Sequence, residues 1–390
     1  MQQLPLPADN GSLAEPSVVG GFSHDFDSTN GSVGGVERGP LPIVVPITVL
    51  YIVTFVVGAV GNSVTCVVIV HNRYMHTATN YYLLSMAVSD LLLLLTGLPF
   101  ELYSFWRPGR EHVFGDTFCV LRGLCAETST NASILTIVLF TVERYLAICH
   151  PLLQHTFSRL SRALRNIAVT WSVALVCALF PALQFGIKLD RDTRGRPLPD
   201  SGSCNVVRHL FPHVFELSTV VFFVVPMMLI SLLYVRIGLR LRRHVRRRPS
   251  PASIHGASGG VMAARRAVIR MLVAVVVAFF ICWAPFHAQR VVIIYAPERP
   301  SPQLVMGLKC LHYISGVLYF ISTCINPILY HTMSAKFRRS LQDTFEGSCC
   351  SARCRSEAAG ERSDQNVYLT VRVPSVRRSI AAKPVACTAV

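Results

Sequence analysis

An all-α membrane protein, a bundle of seven transmembrane helices followed by a short amphipathic helix on the inner leaflet, is predicted by three observations. The 390-residue chain is 52% hydrophobic and only 15% charged, outside the balance of a soluble domain. Seven apolar spans, at 43–70, 78–103, 117–149, 163–186, 211–235, 267–295 and 304–330, are each long enough to cross ~30 Å of hydrocarbon. Lys and Arg crowd the link between spans five and six and the stretch after span seven. Positive-inside places both in the cytoplasm, and an odd number of spans then places the N-terminus outside, as in a multi-pass plasma-membrane protein. The formal charge of +16 is concentrated in those two segments, with no aromatic or groove-binding pattern around it. It suits anionic lipid and acidic partner surfaces, not nucleic acid.

Residues 1–42 form a Gly-, Ser- and Pro-rich tail that is expected to be disordered and extracellular, with no apolar run of signal-peptide type, so that span one directs insertion. Asn10-Gly-Ser and Asn30-Gly-Ser are glycosylation sequons within it. A third match at Asn131 falls inside span three and is inaccessible. Within the bundle, 43–333, span two carries Asp90 about midway across. Asn62 in span one, Ser133 in span three, and Ser322 and Asn326 in span seven offer oxygens that can help hold a monovalent cation or hydrogen-bond the carboxyl. The alternative is polar glue between helices at ~1 kcal/mol per bond. Glu101, eleven residues after Asp90, projects from the same face nearer the outer end.

Span three carries Glu127 in its outer half and Glu143-Arg144 near its far end. Ionisable residues in a membrane helix are costly and mark function by default. At ~1.5 Å per residue, Cys119 and Arg144 stand ~37 Å apart, so one belongs to each face of the membrane. Cys119 and Cys204 are the two cysteines in outer positions, and their disulfide would pin the loop 187–210 across the bundle mouth. Span four carries Trp171 and Pro181, and span five Pro226 and Tyr234. The link 236–266 reads as a flexible connector between helical extensions. Pro285 in span six cannot donate to the carbonyl of Ile281 and is expected to kink the helix. Trp283 and Arg290 are two turns apart on one face of it. Span seven ends in Asn326-Pro327-Ile-Leu-Tyr330. In 334–346, Phe337, Leu341 and Phe345 fall at i, i+4 and i+8, an amphipathic helix for the inner leaflet. Cys349, Cys350 and Cys354 are candidates for palmitoylation. The tail 347–390 is polar and expected to be disordered; its Thr388-Ala389-Val390 end has the form of a PDZ ligand.

Asn62, Asp90, Cys119, Glu143-Arg144-Tyr145, Trp171, Pro226, Tyr234, Cys282-Trp283-Ala-Pro285 and Asn326-Pro327-Ile-Leu-Tyr330 stand in order on the right spans. Together they resemble the rhodopsin-like (class A) G-protein-coupled receptors over ~40–345. Leu98-Pro-Phe-Glu101-Leu-Tyr-Ser-Phe-Trp106, Ala126-Glu127-Thr-Ser-Thr-Asn131 and Phe286-His287-Ala-Gln-Arg290 are similar to the neuromedin U and insect pyrokinin receptors, cousins of the ghrelin, motilin and neurotensin receptors.

That resemblance implies a receptor for a C-terminally amidated neuropeptide ending Pro-Arg-Leu or Pro-Arg-Asn, coupling to the calcium-raising Gq class. Receptor kinases and arrestin would be further partners. Carried over by position, Glu101 and Glu127 would accept the peptide's arginine, and Arg290 would contact its C-terminal end, with Phe286 and His287 beside it. Two carboxylates in a partly desolvated pocket favour a cation in any case. An internal Glu127–Arg290 pair is the competing arrangement, since buried charges need partners. Trp283 and Pro285 would form the pocket floor and the pivot of span six. Arg144, held by Glu143 beside Tyr145, would turn on activation towards Tyr234, Tyr330 and the G protein. No cofactor is implied beyond an allosteric sodium ion at Asp90. Another peptide of the ghrelin, motilin and neurotensin group is the alternative ligand. A transporter or proton pump would require repeated broken helices, which the chain lacks. An intramembrane enzyme would require a catalytic constellation at membrane depth, and His287 and His312 stand without acidic partners.

Overall fold

The computed structural model describes residues 39–344, apart from 109, 151–159, 190–195, 199–200, 209, 247–256, 298–300 and 334–336. Asn10, Asn30, Phe345, Cys349, Cys350, Cys354 and Thr388–Val390 fall outside the described residues, as do the middle of the link between spans five and six and the side chain of Tyr330.

The helices are α1 (Leu41–His71), α2 (Ala78–Trp106), α3 (Gly115–Cys149), α4 (Leu160–Ala182), α5 (Val214–Thr219, a π turn at Val220–Val224, then Val225–Arg246), α6 (Ala257–Ile294) and α7 (Pro302–Met333). Among the described residues, seven helices are long and apolar enough to span a membrane, one for each predicted span. Each side of α1 shows how such a helix is built. Tyr51, Thr54, Gly58, Asn62 and Thr65 form a buried stripe of helical period, while Val53, Val56 and Val60 point outward. In lipid the apolar face needs no cover, so small and polar residues turn inward to let helices approach. A Cβ on Gly58 would stand 2.7 Å from the Leu94 side chain, so glycine is what lets α1 and α2 close.

The interior is cross-linked by side-chain hydrogen bonds. Trp171 of α4 donates to Ser85 of α2 at 3.1 Å, and Ser85 lies 3.2 Å from Thr136 of α3. Thr130 of α3 and Tyr319 of α7 share a hydroxyl bond of 2.8 Å. The Asn62 amide donates to the Thr323 carbonyl of α7 at 2.9 Å.

Span four is shorter than predicted. Its helix stops at Ala182, and the apolar continuation is a strand, β1 (Phe185–Lys188), paired antiparallel with β2 (Ser203–Val206). Phe185 and Ile187 alternate with Gly186 and Lys188, a two-residue period that a run of apolar letters disguises as membrane helix. The loop expected as a strap is therefore a hairpin. The π turn of α5 was also not predicted. Pro226 follows it and has no N–H for the Phe222 carbonyl, and one extra residue in the turn accommodates that break. Residues 337–344 are helical, with Phe337 and Ser340 buried and Arg338 and Arg339 exposed.

Candidate functional site

The disulfide predicted from sequence is present: Cys119, at the start of α3, is joined to Cys204 of β2, with Cα atoms 5.6 Å apart. It seats the hairpin in an apolar cluster of Phe100, Cys119, Phe185, Cys204, Val206 and Phe215, which draws on α2, α3 and α5, with Ile294 of α6 packed against it. A Cβ on Gly123 would come within 2.6 Å of the Phe185 ring, so α3 presents bare backbone where the hairpin rests.

Beneath this cluster lies an ion pair. Arg290 of α6 donates to Glu127 of α3 through both terminal nitrogens, at 2.9 and 3.4 Å, and the two side chains are 2% and 3% exposed. The Arg290 guanidinium also lies 4.8 Å from the Phe215 ring and 5.3 Å from that of Phe286. Below it the aromatic rings interlock. Phe286 stacks on Tyr319 at 4.7 Å, Trp283 meets Tyr319 edge-on at 5.6 Å, and His287 stacks on Phe223 at 5.0 Å. Arg290 Nε and His287 Nε2 are buried with no hydrogen-bond partner among the described residues. An interior polar atom without a partner costs about 1–3 kcal/mol, so each is a donor or acceptor available to a guest.

The two predicted anionic residues are engaged separately. Glu127 is held by Arg290, whereas buried Glu101 feels chiefly the charge of Arg122, a second buried arginine on α3. Arg122 lies 4.2 Å over the Phe100 ring. Sequence reasoning passed over it, although the rule that flagged Glu127 applies equally to an arginine inside an apolar span. Tyr319 was missed as well. It shares a helix face with Ser322 and Asn326, three and seven residues on, and that spacing would have found it.

One level deeper, a cavity of about 30 Å³ is lined by Asp90, Ser133, Ile137, Phe279, Trp283, Ser322 and Asn326 among others. That is room for a small ion or one or two waters. Asn326 donates to Asp90 Oδ2 at 3.0 Å, and Ser133 lies 3.5 Å from Oδ1. A carboxylate with two hydroxyls is a donor set that suits a hard monovalent cation. Asn62, grouped with these residues from sequence, is not among the residues lining the cavity; its Nδ2 donates to the Gly58 and Thr323 carbonyls and braces α1 to α7, while its Oδ1 is buried with no hydrogen-bond partner among the described residues.

At the other end of α3, Glu143 and Arg144 are clasped by Thr79 of α2. Thr79 donates to Glu143 Oε1 at 2.9 Å and accepts from Arg144, whose guanidinium is 3.5 Å from the same carboxylate. Tyr145 reaches His150 at 3.3 Å, and Tyr234 of α5 lies 3.0 Å from the Thr141 hydroxyl, one turn before Arg144. Pro327 packs close to Gly61, where a Cβ would be 3.0 Å from the ring. Charged side chains are thus collected at both ends of one helix, with an aromatic and hydroxyl-lined interior between.

Comparison with known proteins accords with this arrangement. The family model described as 7 transmembrane receptor (rhodopsin family) matches residues 61–330. The chain is 43% identical over 379 residues to the Pyrokinin-1 receptor of Drosophila melanogaster, covering 84% of each chain. It is 39% identical over 319 residues to Neuromedin-U receptor 1 of Homo sapiens, covering 78% of this chain and 74% of the relative. It is 32% identical over 381 residues to a neuromedin U receptor homologue of Caenorhabditis elegans, covering 87% of this chain and 92% of the relative. The family is one of receptors and not of enzymes. The chain is a multi-pass membrane protein and belongs to the rhodopsin family of seven-transmembrane receptors.

Proposed function

We propose that this receptor binds a C-terminally amidated neuropeptide of the pyrokinin and neuromedin U type, ending Pro-Arg-Leu or Pro-Arg-Asn, and couples to the calcium-raising Gq class. The observation that carries this reading is the Glu127–Arg290 pair, buried among Phe215, Phe286 and Tyr319 with Arg290 Nε and His287 Nε2 left over. A guanidinium from the ligand takes over the Glu127 and Glu101 carboxylates. The freed Arg290, with His287, then faces the peptide's carbonyl and amide end. The exchange keeps Glu127 paired and leaves Arg290 without a carboxylate, so the peptide's carbonyl groups and the Phe215 and Phe286 rings have to offset the desolvation of its guanidinium. The names of the relatives, pyrokinin and neuromedin U receptors, support the same ligand class.

The disulfide end faces outside in this reading and the Thr79–Glu143–Arg144 clasp faces the cytoplasm. Peptide binding favours the state in which Trp283 and Pro285 let α6 swing, the clasp opens, and Arg144 turns towards Tyr234, Tyr330 and the G protein. Receptor kinases and arrestin follow. The plasma membrane is its location, with glycans at Asn10 and Asn30 outside, palmitate at Cys349, Cys350 and Cys354 inside, and Thr388–Val390 open to a PDZ protein.

Cytosolic calcium in cells expressing the chain tests this directly, with amidated peptides ending Pro-Arg-Leu and Pro-Arg-Asn beside their free acids. One amide is expected to raise calcium, its free acid to be much weaker, and Glu127→Gln to abolish the response. Silence to every amide with the receptor at the surface would sink the ligand assignment.

The cavity at Asp90 is proposed to hold a sodium ion through Asp90, Ser133 and Ser322, with Asn326 orienting the carboxylate. The ion supplies a positive charge that lets Asp90 remain ionised in the interior. Peptide binding is then expected to respond to NaCl replaced by N-methylglucamine chloride, and Asp90→Asn to remove that response. An Asp90→Asn variant as sensitive to sodium as the parent would rule the site out.

A further inference from the structure

The β1–β2 hairpin is held at its two edges by carboxylates. Ile187 stands opposite Cys204 in the register, and the N–H of each is taken by an acidic side chain: Ile187 donates to Asp116 Oδ1 at 2.9 Å and Cys204 to Glu111 Oε2 at 2.7 Å. Outward N–H groups of a two-stranded ribbon need such partners or water. The two carboxylates differ in their surroundings. Asp116 is half-exposed and paired with Arg208. Glu111, on the 3-10 turn Glu111–Phe114, is 1% exposed, and its own N–H donates to the Gly202 carbonyl at 3.1 Å. Burial pushes the Glu111 carboxyl above its ordinary value, with the Cys204 N–H and the Arg122 charge pulling it back.

Arg122 completes the arrangement. It is 4% exposed, lies 3.8 Å from the Cys204 sulfur, and its charge acts on Glu101 first and Glu111 second. The disulfide alone fixes one point of β2 to α3 and leaves rotation about that point. A second contact at the main chain of the same residue removes the rotation. Glu111 thus holds the main chain of the hairpin, and the Arg122 charge acts both on it and on Glu101, one wall of the ligand pocket.

We propose that Glu111 is a positioning residue: with Arg122 it fixes the orientation of the hairpin at Cys204, so that the lid and the Glu101 wall of the pocket are held as one unit. The part concerning the pocket rests on the peptide reading above; the hold on the hairpin does not.

Hydrogen–deuterium exchange on the purified full-length receptor, disulfide intact, tests the hold. Glu111→Ala is expected to speed exchange of the 203–206 amides by roughly tenfold, the effect of losing one hydrogen bond to a charged acceptor. Glu111→Gln, which keeps an acceptor for the Cys204 N–H but loses the charge that faces Arg122, is expected to fall between the parent and Glu111→Ala. Arg122→Met is expected to loosen the same amides, and the double variant with Glu111→Ala to be no looser than the worse single. Parent-like exchange in Glu111→Ala overturns the proposal, and strictly additive effects overturn the shared unit. Should Glu111→Ala fail to accumulate, Glu111→Asp, one methylene too short for the contact, takes its place. Binding of a labelled peptide amide ending Pro-Arg-Leu is expected to weaken about tenfold in Glu111→Ala. Loosened amides with no peptide binding even in the parent would fell the ligand reading and leave the positioning role intact.

Discussion

Arg290→Met is expected to cost the folded receptor about 3–5 kcal/mol, because it leaves the Glu127 carboxylate buried at 3% exposure without its partner. The measurement is thermal unfolding of the solubilised receptor, and the expected result is a large fall in midpoint with reduced surface expression. Removing both charges, in Glu127→Gln with Arg290→Met, is expected to recover most of the loss, since a neutral pair of similar volume carries no desolvation debt. Both variants lose the peptide response. The comparison separates two reasons for silence in Glu127→Gln, a lost ligand anchor and an orphaned arginine: only the second is repaired structurally by the double change. A single variant that melts like the parent would mean that water reaches the pair.

Cys204→Ala is expected to be of similar size. The bond closes a loop of 85 residues between Cys119 and Cys204, for which chain-entropy reasoning gives about 4–5 kcal/mol. Cys119→Ala, Cys204→Ala and the double variant are expected to be equally impaired in surface expression and thermal midpoint, because either change removes the same bond. Unequal singles would point to a role for one sulfur beyond the bridge. Parent-like stability in Cys204→Ala would show that the apolar seat around Phe185 and Phe100 suffices by itself.

Most of the bundle could be read from the chain because lipid enforces a simple rule: backbone polar groups must be satisfied within the segment, so a long apolar run is a helix. The rule weakens where the membrane ends. Phe185-Gly-Ile187 continues the apolar run of α4 but belongs to a strand, and only its antiparallel pairing with Ser203–Val206 distinguishes the two. The π turn at Val220–Val224 depends on how a helix absorbs Pro226, which composition does not reveal. In the pocket, single residues stood out by cost: Asp90, Glu101, Glu127 and Arg290 are ionisable among apolar neighbours. Their pairings did not. Resemblance implied a shared pocket for Glu101 and Glu127, and which arginine each meets depends on helix rotation and depth, which only packing fixes. Asn62 was grouped with Asp90 for its amide oxygen, yet its amide nitrogen is turned towards the Thr323 carbonyl of α7. Glu111 lay in a loop, where a carboxylate is ordinarily solvated, and nothing local marks it as buried.

Trp283 belongs to two walls at once. Its indole meets Tyr319 and Phe286 on the pocket side and lines the Asp90 cavity on the other. The proposed peptide above and the proposed ion below would therefore share one partition, and thermodynamic reciprocity would follow. If filling the lower chamber changes affinity in the upper one by some factor, filling the upper must change affinity in the lower by the same factor. For a cation below that weakens the peptide above, the peptide must in equal measure expel the cation, so that at a fixed salt concentration arrival of the ligand and departure of the ion are two readings of one equilibrium.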